Sequence, residues 1–103
     1  SAGKALLALL ESGNGRAIAA VSARAEHLSL GLRRSVVEML RKVAQDRRPA
    51  SAATRRSAAQ ALAKLAELGD DDSLAALSAQ LEDQDPGVRR VATEVLARLV
   101  ERG

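Results

Sequence analysis

GDDDSLAALSAQLEDQDPGVRRVATEVLARLVERG, residues 69–103, carries in one stretch the punctuation that decides the fold. Val88, Val91, Ala92, Val95, Leu96 and Leu99 recur at spacings of three and four, the stripe of one α-helix face. Asp85 lies four residues before Arg89, where a side-chain oxygen can satisfy the free amides of a helix start, and Gly103 follows the last apolar residues as a stop. Asp70 is placed to cap a shorter helix upstream, and Gly69 closes the helix before that. The reading is therefore helix, turn, helix, with Asp85 and Pro86 at the second start.

Working outward, the same pattern returns. With an offset of 56, residues 1–46 align with 57–102 without a gap and match at 17 of 46 positions. The matches include Leu6/Leu62, Gly13/Gly69, Glu26/Glu82, Gly31/Gly87, Arg33/Arg89 and Arg34/Arg90, which an alanine-rich composition alone would not align. With an offset of 34, residues 54–69 fall on 88–103. An Arg-Arg pair thus opens three apolar-periodic segments: Arg33-Arg34, Arg55-Arg56 and Arg89-Arg90. Ser29 and Ser51 stand where Asp85 does, four residues before the first arginine of their pairs. These signals predict six helices, near 2–12, 15–26, 30–45, 52–68, 71–82 and 86–101, with Asn14 and Asp70 capping the second and fifth.

Composition agrees. Of 103 residues, 47% are hydrophobic, yet Phe, Tyr, Trp and Cys are all absent. The core must come from 22 Ala, 16 Leu, 8 Val, one Ile and one Met, which suits closely packed helices and not sheets. Disulfides, thiolate zinc sites and thiol nucleophiles are excluded without cysteine, and one histidine cannot build a multi-histidine metal cage. Stacking of bases on aromatic rings is excluded as well. No apolar run reaches the roughly 18 residues that a membrane-spanning helix needs.

Residues 69–103 resemble a HEAT-like repeat of the phycobilisome-lyase type: a short helix, a D-x-D-P turn, and a second helix opening V-R-R. The pattern continues in 13–45, with Ser29 and Leu30 in place of Asp85 and Pro86, and persists as second-helix halves in 1–12 and 54–68. The resemblance implies an all-α superhelix, an α-solenoid of paired helices serving as a protein-interaction scaffold. It also implies that one arginine of each pair bonds a turn carboxylate or carbonyl of a neighbouring repeat, so Arg33, Arg34, Arg55, Arg56, Arg89 and Arg90 form a structural ladder. The chain is read as a single repeat domain, 1–103. The alignment sets Ser1 at a mid-helix position, so a longer parent protein is expected.

Spacing departs from the repeat at 46–53. The first two Arg pairs are 22 residues apart and the second two 34, so a first-type helix is missing. DRRPASAA leaves two courses open: a short extended segment that recrosses the stack, or a fourth helix that runs antiparallel to the third and takes the vacant place. The second is favoured.

Neither His27 nor the acidic run Asp70-Asp71-Asp72 points to catalysis or metal. His27 has no partner motif for general-base work, and acids at a helix start complement its dipole without the alternating ligands of a calcium loop. Met39 falls on the apolar stripe as core filling. No catalytic residue, metal or cofactor is expected.

Charge is the remaining signal. Residues 1–56 hold 11 Lys/Arg against 4 Asp/Glu, while 57–103 hold 5 against 9. Partner contacts are therefore expected at the basic junction, through Arg41, Lys42, Arg47, Arg48, Arg55 and Arg56. The function read from this is a non-catalytic scaffold for another protein or another domain of the same chain. Sequence-independent binding of a nucleic-acid backbone through 33–56 is the second reading, and an auxiliary part of a chromophore lyase the third. The bipolar charge also permits head-to-tail self-association.

Overall fold

A computed structural model describes residues 4, 5, 8, 15–46, 48 and 51–102. Every regular element among them is helical: α1 (Gly15–Arg24) runs into a 3-10 turn (Ala25–His27), followed by α2 (Leu30–Ala44), α3 (Ala52–Glu67), α4 (Asp71–Gln80) and α5 (Pro86–Arg102). These bounds fall within about two residues of those expected from periodicity. Lys4, Ala5 and Ala8 are helical, while the rest of the expected 2–12 helix, with Asn14 and Gly103, lies outside the described residues.

Local chemistry explains the ends. Ser29 Oγ accepts from Leu32 N at 3.3 Å, Asp70 Oδ1 from Ser73 N at 2.8 Å and Asp85 Oδ2 from Val88 N at 3.0 Å. Each is an N-cap serving an amide that has no carbonyl partner inside its helix. Gly69, at φ +96°, closes α3: its N–H donates to Ala66 O and Asp70 N to Leu65 O, the paired bonds of a Schellman ending. Ser51 behaves differently from its counterparts. It makes no cap bond to α3, and its hydroxyl donates instead to Asp46 Oδ2 at 2.8 Å.

Local bonds tie the described residues of the irregular junction: Arg48 N donates to Asp46 Oδ1 at 3.2 Å and Ser51 N to Arg48 O at 2.9 Å. Arg47, Pro49 and Ala50 lie outside the described residues.

α3 then takes a place that one-dimensional periodicity did not assign. Among the described helices it packs against all four others and buries Ala58, Ala59, Ala61, Leu62, Ala63, Leu65 and Ala66, a little over half its circumference, with Gln60 and Lys64 exposed on the remaining face. Alanine on most sides lets four neighbours approach closely, while Leu62 and Leu65 fill the spaces between them. Ile18 and Val21 of α1, Val36, Val37 and Leu40 of α2, Leu77 of α4, and Val88, Ala92 and Val95 of α5 complete the core. Met39 packs against it, as expected from the stripe. Each fully buried leucine contributes about 1.5–3 kcal/mol, so an aliphatic core of this extent suffices without rings. The Cα envelope measures 36 × 34 × 17 Å, a slab about two helices thick. Among the described residues no helix is long and apolar enough to cross a membrane.

Candidate interaction surface

The three Arg pairs divide their labour. In each, the first arginine reaches back to carbonyls of the turn that precedes its own helix. Arg33 Nη2 donates to Ala25 O at 3.5 Å, Arg55 Nη1 to Asp46 O at 2.7 Å and Arg48 O at 2.8 Å, and Arg89 Nη1 to Asp83 O at 2.7 Å and Gln84 O at 2.9 Å. The second arginines, Arg34, Arg56 and Arg90, are exposed. A helical step of one residue turns the side chain by about 100°, so adjacent arginines necessarily face different surroundings.

Arg55 goes further. Its Nε and Nη2 grip Asp83 Oδ2 and Oδ1 at 2.8 and 3.1 Å, a bidentate pair in which both residues are only 1% exposed. Asp83 Oδ1 also accepts from Asp85 N at 2.9 Å, and the Arg55 carbonyl accepts from Gln80 Nε2 at 3.5 Å. One guanidinium thereby ties the 46–48 turn to the 83–85 turn across α3. The sequence names Arg55 both as a docking residue and as a ladder member: the bonds to a turn carboxylate and turn carbonyls have the form expected of the ladder, while at 1% exposure it offers no face to a partner.

Of the other expected docking residues, Arg41 is half-exposed and stands 3.6 Å from Glu38, Lys42 is exposed, and Arg47 lies outside the described residues. Arg48 forms a bidentate pair with Asp46 at 2.9 and 2.6 Å, and Arg56 Nε lies 3.5 Å from Asp85 Oδ2. The bonds from Arg48, then from the Ser51 hydroxyl, hold the Asp46 carboxyl well below the usual carboxylate range, and the same pairing raises the Arg48 guanidinium. The junction is thus less bare than its charge count implies: four of its cations each face a carboxylate, Arg55 in the interior and three at the surface. Exposed pairs of this kind contribute little and exchange readily.

A groove of about 400 Å³ runs between α1 and α5, with Gln60, Lys64 and Glu67 on its floor and Ser22, Glu94 and Arg98 on its walls. Arg98 and Glu67 pair there at 3.4 Å. A smaller hollow of about 120 Å³ separates the ends of α2 and α4, between Arg41, Ala44 and Gln45 on one side and Ala75, Ala79 and Gln80 on the other. Among the described residues no three His, Asp or Glu side chains cluster as metal ligands. His27 is exposed, and Asp71 and Asp72 lie in the first turn of α4 where the helix dipole favours them.

Sequence reasoning missed Asp83. The D-x-D-P turn displayed both aspartates, but only Asp85 stood in register with a helix start. Asp83 is defined by a partner 28 residues away.

Comparison with protein-family models, curated proteins and solved structures finds no match.

Proposed function

We propose that the chain is a non-catalytic interaction scaffold of HEAT-like repeats, its helix pairs stacked as an α-solenoid, and that its ligand is the acidic surface of another protein or another domain of the same chain. The observation that carries this reading is the repeated division of the Arg pairs. At the starts of α2, α3 and α5 the first arginine braces a turn and the second is left outside. A repeat maintained in that form stacks helices while leaving a guanidinium group outside at each such start, and the slab two helices thick supports the same reading.

Glu38, Asp46 and Asp85 lie among the exposed cations, which favours a protein over a nucleic acid. A phosphate backbone would meet repulsion at each carboxylate, whereas a protein surface can answer both signs. Fluorescence anisotropy with a labelled Glu/Ala helical peptide and with a labelled duplex DNA, each at about 50 and 200 mM salt, tests the proposal. The peptide is expected to bind at both salts and to lose about tenfold in affinity when Lys42, Arg48 and Arg56 are all changed to Glu. Tighter binding of the duplex, with a steep salt slope, would sink the reading, as would a peptide affinity indifferent to the three reversals.

A further inference from the structure

The two aligned halves of the chain are not equally covered. On α1, Ile18 and Ala25 are buried, while their counterparts on α4, Leu74 and Leu81, are 36% and 40% exposed. On α2, Leu40 and Ala44 are buried, while on α5 Leu96 is half-buried and Val100 is 78% exposed. Leu74 and Leu81 stand seven residues apart and Leu96 and Val100 four, so each pair shares one face of its helix. What covers this face in the first half is the second half: α1 and α2 both pack on α3, and α2 also on α4. In the second half the same face is open, with leucine and valine where the first half has Ala25 and Ala44.

The surface that closes over α2 has a copy of its own. The end of α2 meets α4 at the hollow lined by Arg41, Ala44 and Gln45 on one side and by Ala75, Ala76, Ala79 and Gln80 on the other. At the positions aligned with that second side, α1 carries Ala19, Ala20, Ala23 and Arg24: the three alanines are unchanged and all four residues are exposed. Repeating the α2–α4 contact between two molecules sets Val100 and Glu101 of one against these residues of the next. Gln45 and Gln80, neutral within the chain, are replaced by Glu101 and Arg24, which carry opposite charge. Arg41 is replaced by Ala97 and Ala44 by Val100, so an apolar side chain fills the place of a cation. The part that α3 plays on α1 falls to the aligned helix around Ala5, a residue exposed where its counterpart Ala61 is fully buried.

Longer-range charge acts in the same sense. Residues 1–56 hold 11 Lys/Arg against 4 Asp/Glu and residues 57–103 hold 5 against 9, and Asp71, Asp72 and Glu82 are exposed on α4 and just beyond its end. Unlike halves attract and like halves repel. We propose that the chain self-associates head to tail, the Leu74, Leu81, Leu96 and Val100 face of one copy receiving the Ala19, Ala20 and Ala23 face of the next, with Glu101 paired to Arg24. Two different surfaces meet in such a contact, so copies add in an open row or close into a ring. Lys42, Arg48 and Arg56, assigned above to an acidic ligand, take no part in it.

Sedimentation velocity on the whole chain at about 10 and 500 μM, in about 50 mM salt, tests the proposal. Species larger than a dimer are expected at the higher concentration. Val100→Glu and Ala20→Glu, both at exposed positions and with far-ultraviolet circular dichroism unchanged, should each give a monomer. An equimolar mixture of these two variants should give a dimer and nothing larger, because each supplies the face that the other lacks. Arg24→Glu should weaken association about tenfold, and Glu101→Arg added to it should restore the loss. A chain that stays monomeric at both concentrations, or a mixture of the two variants that does, would overturn the inference. So would association abolished by Val100→Glu and indifferent to Ala20→Glu, since like faces would then be meeting. Binding of the Glu/Ala peptide through Lys42, Arg48 and Arg56 stands or falls separately, as none of those residues is altered.

Discussion

The turn before α2 and the turn before α5 are aligned copies of one sequence pattern, and they are not equally built. Before α5, Asp83 is buried under the Arg55 fork, Asp85 caps the helix, and Arg89 holds two carbonyls at 2.7 and 2.9 Å. Before α2, His27 occupies the Asp83 position and is exposed, Ser29 caps at a longer 3.3 Å, and Arg33 makes a single bond at 3.5 Å with its buried Nε unpaired. The counterpart of Arg55 falls outside the aligned 1–46. A repeat's arginine is therefore only as useful as the carboxylate and carbonyls its turn offers. One change at position 27 removes the acid around which the other turn is organised.

The largest effect should come from dismantling the stronger copy. Asp83→Ala leaves the Arg55 guanidinium buried without its counter-ion and is expected to cost about 3–5 kcal/mol, whereas His27→Ala at the aligned position should stay within about 0.5 kcal/mol. Urea denaturation followed by circular dichroism measures both, and equal losses would erase the distinction between the turns.

Aligned glycines sharpen it with opposite signs. A Cβ on Gly87 would stand 2.6 Å from Arg56 Cδ and 2.9 Å from Asp85 Oδ2, while one on Gly31 would meet open space. Gly87→Ala should therefore destabilise by about 1 kcal/mol, pushing Arg56 off Asp85. Gly31→Ala should stabilise by about 0.4–1 kcal/mol through a less flexible unfolded chain. Thermal midpoints moving in the same direction would show that the two helix starts are packed alike.

The smallest expected effect belongs to the turn at 46–51, whose ion pair is exposed where Arg55–Asp83 is buried. Asp46 titrates lower in the folded chain than its ordinary 3.8, so its stabilising contribution is complete above that value and drains away as pH falls below it. The stability gap between the chain and its Asp46→Asn variant should be small at about pH 6 and narrow further by about pH 2. A gap that widens in acid would contradict the assigned pairing.

Much of this architecture was legible because it is local. Caps at Ser29, Asp70 and Asp85, the stop at Gly69 and the stripes of α2 and α5 depend on residues within one turn of one another. The failures are long-range. Whether Arg55 or Arg56 goes inside depends on Asp83, a residue that becomes meaningful only once α3 and the 83–85 turn are adjacent. The central position of α3 was equally hidden, since alanine is compatible with one buried face or four. On α4, Ser73 and Leu74 are neighbours in sequence, and nothing local says that the serine is the one turned inward. Of the expected surface, Arg41, Lys42, Arg48 and Arg56 are where a partner could reach them, and Arg55 is not.

The contact of α3 with every other described helix also has a consequence for how the molecule breathes. In a stack of repeats each unit touches only its neighbours, so an end unit can open while the middle stays closed. Among the described helices α3 is that middle, since each of the other four packs on it and uncovers part of it on leaving. Its amides should therefore exchange with solvent deuterium only through global unfolding, reporting the stability of the entire chain, while α1 and the end of α5 exchange sooner through local fraying.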